Sequence, residues 1–160
     1  MKISSAAFIN QDSVPPKYTC EGANISPALS WQDIPGQAKS VALTVEDPDA
    51  PVGTWVHWIV YNIPPDAKGL PEAVSAVKNL PNGAQQGENS FHKIGYGGPC
   101  PPPGHGPHRY FFRLYALDTL LDIRPGASRK ELDDAMKEHI LSRAELVGRY
   151  ERQVMKKKSY

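Results

Sequence analysis

Val41-Ala42-Leu43-Thr44-Val45-Glu46-Asp47-Pro48-Asp49-Ala50-Pro51 decides the fold class. Val41, Leu43 and Val45 alternate with Ala42, Thr44 and Glu46, the period-two pattern of a strand with two distinct faces. One residue further on, Asp47 shares the face of Val45. The Asp-Pro-Asp-Ala-Pro that follows fits a rigid turn, because Asp bonds nearby backbone and Pro fixes φ. After it, Val56 to Asn62 is rich in β-branched and aromatic residues, the mark of a second strand. Simple alternation puts His57, Ile59 and Tyr61 on one face and Val56, Trp58 and Val60 on the other.

Working outward, a third strand is expected over Tyr110 to Leu117, with Arg109 and Phe111 pointing one way and His108, Tyr110 and Phe112 the other. Ile3 to Ile9 and Ala28 to Trp31 give weaker strand signals. Asp66 to Phe91 has little periodicity and reads as a long excursion with short pieces of structure. The C-terminal end changes character. Ser128-Arg129-Lys130-Glu131 and Ser142-Arg143-Ala144-Glu145 both have the S-x-x-E form of a helix capping box. Leu132, Ala135, Met136 and His139 follow the first at helical spacing, and Val147, Tyr150 and Val154 follow the second. Two helices are therefore expected after a body of strands. Sixteen prolines and 13 glycines suit strands joined by many defined turns.

Composition narrows the function. At 160 residues the chain reads as one domain over 1–160, large enough to bury a core without staples. The net charge of +1 implies no nucleic-acid partner, and the Lys156-Lys157-Lys158 run reads as a solvated tail. No stretch approaches the ~18 apolar residues of a membrane span, and Met1 to Ser5 lacks a signal peptide, so a cytoplasmic protein is expected. Cys20 and Cys100 could pair, but without a secretory signal reduced thiols are expected. They have no C-x-x-C spacing.

The candidate site lies in two loops. Asp47 and Asp49 end one strand and His57 opens the next, so carboxylate and imidazole could converge at one sheet edge, where the carboxylate would orient the ring. The second loop is Gly95-Tyr96-Gly97-Gly98-Pro99-Cys100-Pro101-Pro102-Pro103-Gly104-His105-Gly106-Pro107-His108-Arg109-Tyr110. It has three readings. As a phosphate cradle it could use the N–H groups of Tyr96, Gly97 and Gly98, while its prolines, having no N–H, form a wall. As a polyproline ligand it would dock on a partner protein. As a metal site it would use His105 and His108, without support from an H-E-x-x-H or a Cys pair. No G-x-S-x-G elbow is present. A Cys100–His thiol pair and Asp–His acid–base chemistry on a phosphoester remain open.

At these residues the chain resembles the phosphatidylethanolamine-binding protein family, also called the Raf kinase inhibitor protein family, in its short prokaryotic-type branch. The resemblance rests on Asp47–Pro51 with Trp55-Val56-His57, and on Pro101 to Tyr110. It extends to Tyr18-Thr19-Cys20-Glu21-Gly22-Ala23-Asn24-Ile25-Ser26-Pro27 with Leu29 and Trp31. It implies a mainly β fold: a large antiparallel sheet packed on a smaller one, with peripheral C-terminal helices. It also implies an anion pocket lined by Asp47, Asp49, His57, Pro101, Pro102, His108 and Tyr110, with Cys100 where several members carry Gly. His57, His108, Tyr110 and backbone N–H groups would donate to phosphate oxygens, and the two Asp would orient the rings or accept an ammonium.

The implied function is non-catalytic binding of a phosphate-bearing small molecule or phospholipid headgroup, without a cofactor. A kinase or protease partner and a homodimer are implied as well. A phosphoester hydrolase and a docking scaffold built on the Pro-rich loop are the alternatives.

Overall fold

The computed structural model describes residues 1–154, and the Lys156-Lys157-Lys158 run lies outside them. Strand β1 is Lys2–Ser4, β2 Leu29–Gln32, β3 Ser40–Asp47, β4 Trp55–Ile63, β5 Gly69–Leu70, β6 Gln85–Gln86, β7 His108–Leu117 and β8 Ile140–Tyr150. Helix α1 spans Arg129–Met136. A five-stranded antiparallel sheet in the order β6-β4-β3-β7-β8 packs on a three-stranded sheet in the order β1-β2-β5.

The alternation in β3 assigns the two faces as expected. Val41, Leu43 and Val45 join Trp58, Val60, Phe112 and Leu114 in the core that also takes in Ile3, Leu29 and Trp31 of the smaller sheet. Ala42 lies on the opposite face with Ile59, Tyr61 and Leu117, where Leu132 and Met136 of α1 cover the sheet. The burial of both faces explains why every residue of β3 is buried.

The first capping signal holds and the second does not. Ser128 caps α1, its hydroxyl accepting from the Glu131 N–H at 3.1 Å. Ser142 to Glu145 instead lies within β8, paired with β7 from His108↔Tyr150 to Leu117↔Ile140. Among the described residues a single α-helix, α1, follows β7, and β8 comes after it. Leu146 stacks in the inter-sheet core while Arg143 and Glu145 are exposed. A ladder along a ten-residue neighbour outweighs a local cap preference in a segment whose residues also fit period two. The weak N-terminal signals shrink to β1 and β2, and the excursion contributes only the short β5 and β6.

Cys20 and Cys100 form a disulfide with Cα atoms 5.4 Å apart, which overturns the expectation of reduced thiols. The N-terminal segment folds back beside the Pro-rich loop. There the Cys20 N–H donates to Pro99 O at 3.1 Å, Tyr96 Oη to Tyr18 O at 2.7 Å, and the Gly98 N–H to Asn24 Oδ1 at 2.8 Å. A Cβ on Gly98 would sit 2.2 Å from Tyr18 O, so only glycine permits this approach.

Candidate functional site

The site lies at one end of the large sheet, where β3 ends, β4 begins and β7 begins. Its first requirement is a break in the ladder. Val45 pairs with Trp58, but the next residue, Glu46, pairs with Val56, leaving His57 as the extra residue of a β-bulge. A bulge re-aims a side chain by inserting one residue against none. His57 therefore leaves the face of Ile59 and Tyr61, correcting the simple alternation. Its ring meets Tyr110 edge-on, with centroids 5.1 Å apart.

Around His57 the loops are tightly fixed. Its Nδ1 lies 2.6 Å from Gly97 O, and the Gly97 N–H donates back to His57 O at 2.9 Å. A carbonyl only accepts, so the ring proton sits on Nδ1. Gly97 is also where the Phe91 ring packs, 2.6 Å from where a Cβ would stand. Burial pulls the His57 pKa below its ordinary value, partly countered by the Gly97 carbonyl and the Asp47 carboxylate. The ring is thus neutral at neutral pH.

Asp47 and His108 form a buried pair. His108 Nδ1 donates to Asp47 Oδ2 at 2.6 Å, and both side chains are at most 4% exposed. Asp47 Oδ1 accepts the Asp49 N–H at 2.7 Å, an Asx turn that locks the Asp-Pro-Asp loop. On its other side, His108 Nε2 lies 2.6 Å from Nδ1 of the exposed His105, and one of these two nitrogens carries the shared proton. Both nitrogens of His108 are therefore engaged. The Tyr110 hydroxyl is different: it is buried and makes no well-formed hydrogen bond among the described residues, although the Asp47 carboxylate lies close enough to act on it. Burial pushes its pKa up, and the Asp47 carboxylate adds to that, so it remains a phenol.

These groups line a cavity of about 210 Å³. Asp47, His57, His108 and Tyr110 form its polar part, and Trp55, Phe91, Pro101 and Pro102 supply apolar wall. Val52 and Phe91 are exposed at its rim. Six of the seven residues expected at the pocket converge here. Asp49 is the exception. It faces Arg109, accepting from Nε at 2.9 Å, from Nη2 at 2.8 Å and from the backbone N–H at 2.9 Å. That guanidinium holds the Asp49 carboxyl down at about 2.

The phosphate-cradle reading of the Gly-rich loop loses two of its three donors, since the Gly97 and Gly98 N–H groups are spent on His57 O and Asn24 Oδ1. No lysine or arginine lines the cavity among the described residues. Among those residues no group of three or more His, Cys, Asp or Glu could hold a metal ion. None of their helices is long and apolar enough to cross a membrane. Cys100, in the cavity wall, is disulfide-bonded and offers no thiol for a Cys–His pair. Sequence reasoning missed Phe91, which sits in the stretch without periodicity. The Ser90 hydroxyl accepting the Val56 N–H at 2.8 Å holds that stretch against β4.

Comparison with known proteins gives a consistent result. The family model described as phosphatidylethanolamine-binding protein matches residues 4–151. A UPF0098 protein of Methanothermobacter thermautotrophicus is 53% identical over 152 residues, covering 95% of this chain and 99% of the relative. Among solved structures, a phosphatidylethanolamine-binding protein homolog from Chlamydia trachomatis superposes with a TM-score of 0.86 at 43% identity, covering 95% of this chain and 97% of the other. E. coli YbcL, described as a member of the mammalian PEBP family, superposes with a TM-score of 0.87 at 35% identity, covering 95% and 98%.

Proposed function

This chain belongs to the phosphatidylethanolamine-binding protein family, and on that premise we propose that it is a non-catalytic module binding the phosphate-bearing head of a small ligand. The Tyr110 hydroxyl carries the reading. A buried polar group without a partner costs stability, and a ligand that accepts from it recovers that loss. Asp47 and the neutral His57 ring lie beside it and complete a polar end, with Trp55 and Phe91 in the apolar wall. The fixed negative charge of Asp47 suits an ammonium such as that of phosphoethanolamine, while Tyr110 donates to a phosphate oxygen.

Turnover has little support here. A hydrolase of this type needs an activated nucleophile beside a base. The cavity sulfur is held in a disulfide, and the His108 ring is spent on Asp47 and His105. The test is an NMR titration of the His57 and Tyr110 ring signals with phosphoethanolamine. Saturable shifts of both with the ligand intact after prolonged incubation are expected. Release of free phosphate would replace the binder with an enzyme, and unmoved rings would remove the ligand from this cavity.

A further inference from the structure

The buried imidazole of the cavity bears on the ligand's own proton. Resting on the oxyanion reading above, we infer that His57 Nε2 is a hydrogen-bond acceptor, so that the site selects a ligand head carrying a proton of its own, such as a protonated phosphomonoester, over a sulfate ester of the same shape. With Nδ1–H committed to Gly97 O at 2.6 Å, Nε2 of the neutral ring holds only a lone pair. The hydrogen bond to Gly97 is made through Nδ1, and the ring lines the cavity. Burial, which disfavours the charged ring, keeps it so.

The neighbouring groups do not redress the balance. Asp47 offers carboxylate oxygens, which only accept. His108, the other imidazole, gives its N–H to Asp47 and meets His105 with its second nitrogen. Arg109, whose backbone lies in β7 between His108 and Tyr110, turns its guanidinium to Asp49. Tyr110 Oη is left as the buried side-chain donor without a partner, and the Trp55 indole stands in the wall nearer the mouth.

An oxyanion without a proton would accept from Tyr110 but set its remaining lone pairs against those of His57 Nε2 and Asp47. A phosphomonoester monoanion answers both sides: its P–OH donates to Nε2 while a second oxygen accepts the Tyr110 proton. An aminoalkyl phosphate reaches the same balance with its ammonium. The common requirement is a head that donates as well as accepts.

The experiment uses the full chain and two aryl esters of matching shape, phenyl phosphate and phenyl sulfate, with phosphoethanolamine as the ammonium-bearing arm. Affinities are measured by calorimetry near pH 6, where about half of a phosphomonoester retains its second proton. Phenyl phosphate is expected to bind at least about tenfold tighter than phenyl sulfate, the effect of leaving a buried acceptor unanswered. The ¹⁵N signal of His57 Nε2 is expected in the unprotonated range in the free protein and to move with phenyl phosphate. Equal affinities, or a preference for the sulfate, would overturn the acceptor role while leaving the oxyanion site standing. Binding of none of the three ligands would overturn both. A protonated Nε2 in the free protein would overturn the acceptor role whatever the affinities.

Discussion

Reducing the Cys20–Cys100 bridge is expected to destabilise the fold through its unfolded state. The bridge closes a loop with a sequence separation of 80. Loop-closure entropy for that length corresponds to about 4.5 kcal/mol at 25 °C. The native contacts at the bridge do not need it: the Cys20 N–H to Pro99 O, Tyr96 Oη to Tyr18 O and Gly98 N–H to Asn24 Oδ1 bonds would persist between reduced thiols. The folded geometry should therefore survive, and the loss should appear as a lower melting temperature. For a chain of this size each kcal/mol is worth about 2–4 °C, so a fall of about 9–18 °C is expected. Calorimetry on oxidised protein, on protein held reduced by a phosphine, and on the Cys20→Ser/Cys100→Ser double variant would measure it. Thiol titration before and after each scan confirms the redox state. A fall below about 3 °C with both thiols shown free would refute the loop-entropy argument.

Further consequences concern single groups. Tyr110→Phe removes a buried hydroxyl without a partner, so stability in urea should stay level or rise by up to about 2 kcal/mol, while phosphoethanolamine affinity falls about tenfold. Asp49, held at about 2 by Arg109, adds stability that is complete above its ordinary value of 3.8 and lost as pH falls toward 2. A carboxyl ¹³C midpoint near 3.8 would contradict the ion pair. His57, whose pKa burial lowers from 6.5, should weaken folding as pH drops below that value, and its ring should titrate below 6.5 by NMR. Leu132→Ala empties a fully buried position under α1 and should cost about 2–5 kcal/mol, with faster amide exchange along that helix.

Long elements with an unbroken period were legible from residues alone. The alternation of β3 assigned Val41, Leu43 and Val45 to the inter-sheet core, and β7 kept Arg109 outside and Tyr110 inside. Ser128 marked the start of α1 because its cap is a local bond. Ser142 carried the same local signal and failed, since what decides β8 is its pairing with β7, which no window of sequence displays. Distance in sequence hid the disulfide for the same reason: Cys20 reaches Cys100 only once the N-terminal segment has folded back. Six pocket residues were named because they cluster on two loops. Asp49 was misplaced because its choice between cavity and Arg109 depends on which way β7 turns the guanidinium. Phe91 escaped because its position comes from the Ser90–Val56 bond rather than from any pattern around it.

The extra residue in β4 behaves like a reading-frame shift written into a sheet. From Trp58 to Val60 the strand is in one phase with β3, and before His57 it is in the other. Removing a single residue there would carry the phase of Trp58 to Val60 back to the start of β4, while the second shift, between Val60 and Ile63, would stay. The inter-sheet core, which lies on the far side of the shift at Val45, Trp58 and Val60, would be untouched. What would vanish is the imidazole from the cavity. In this architecture a one-residue insertion or deletion can therefore switch the site on or off while the packed interior stays as it was.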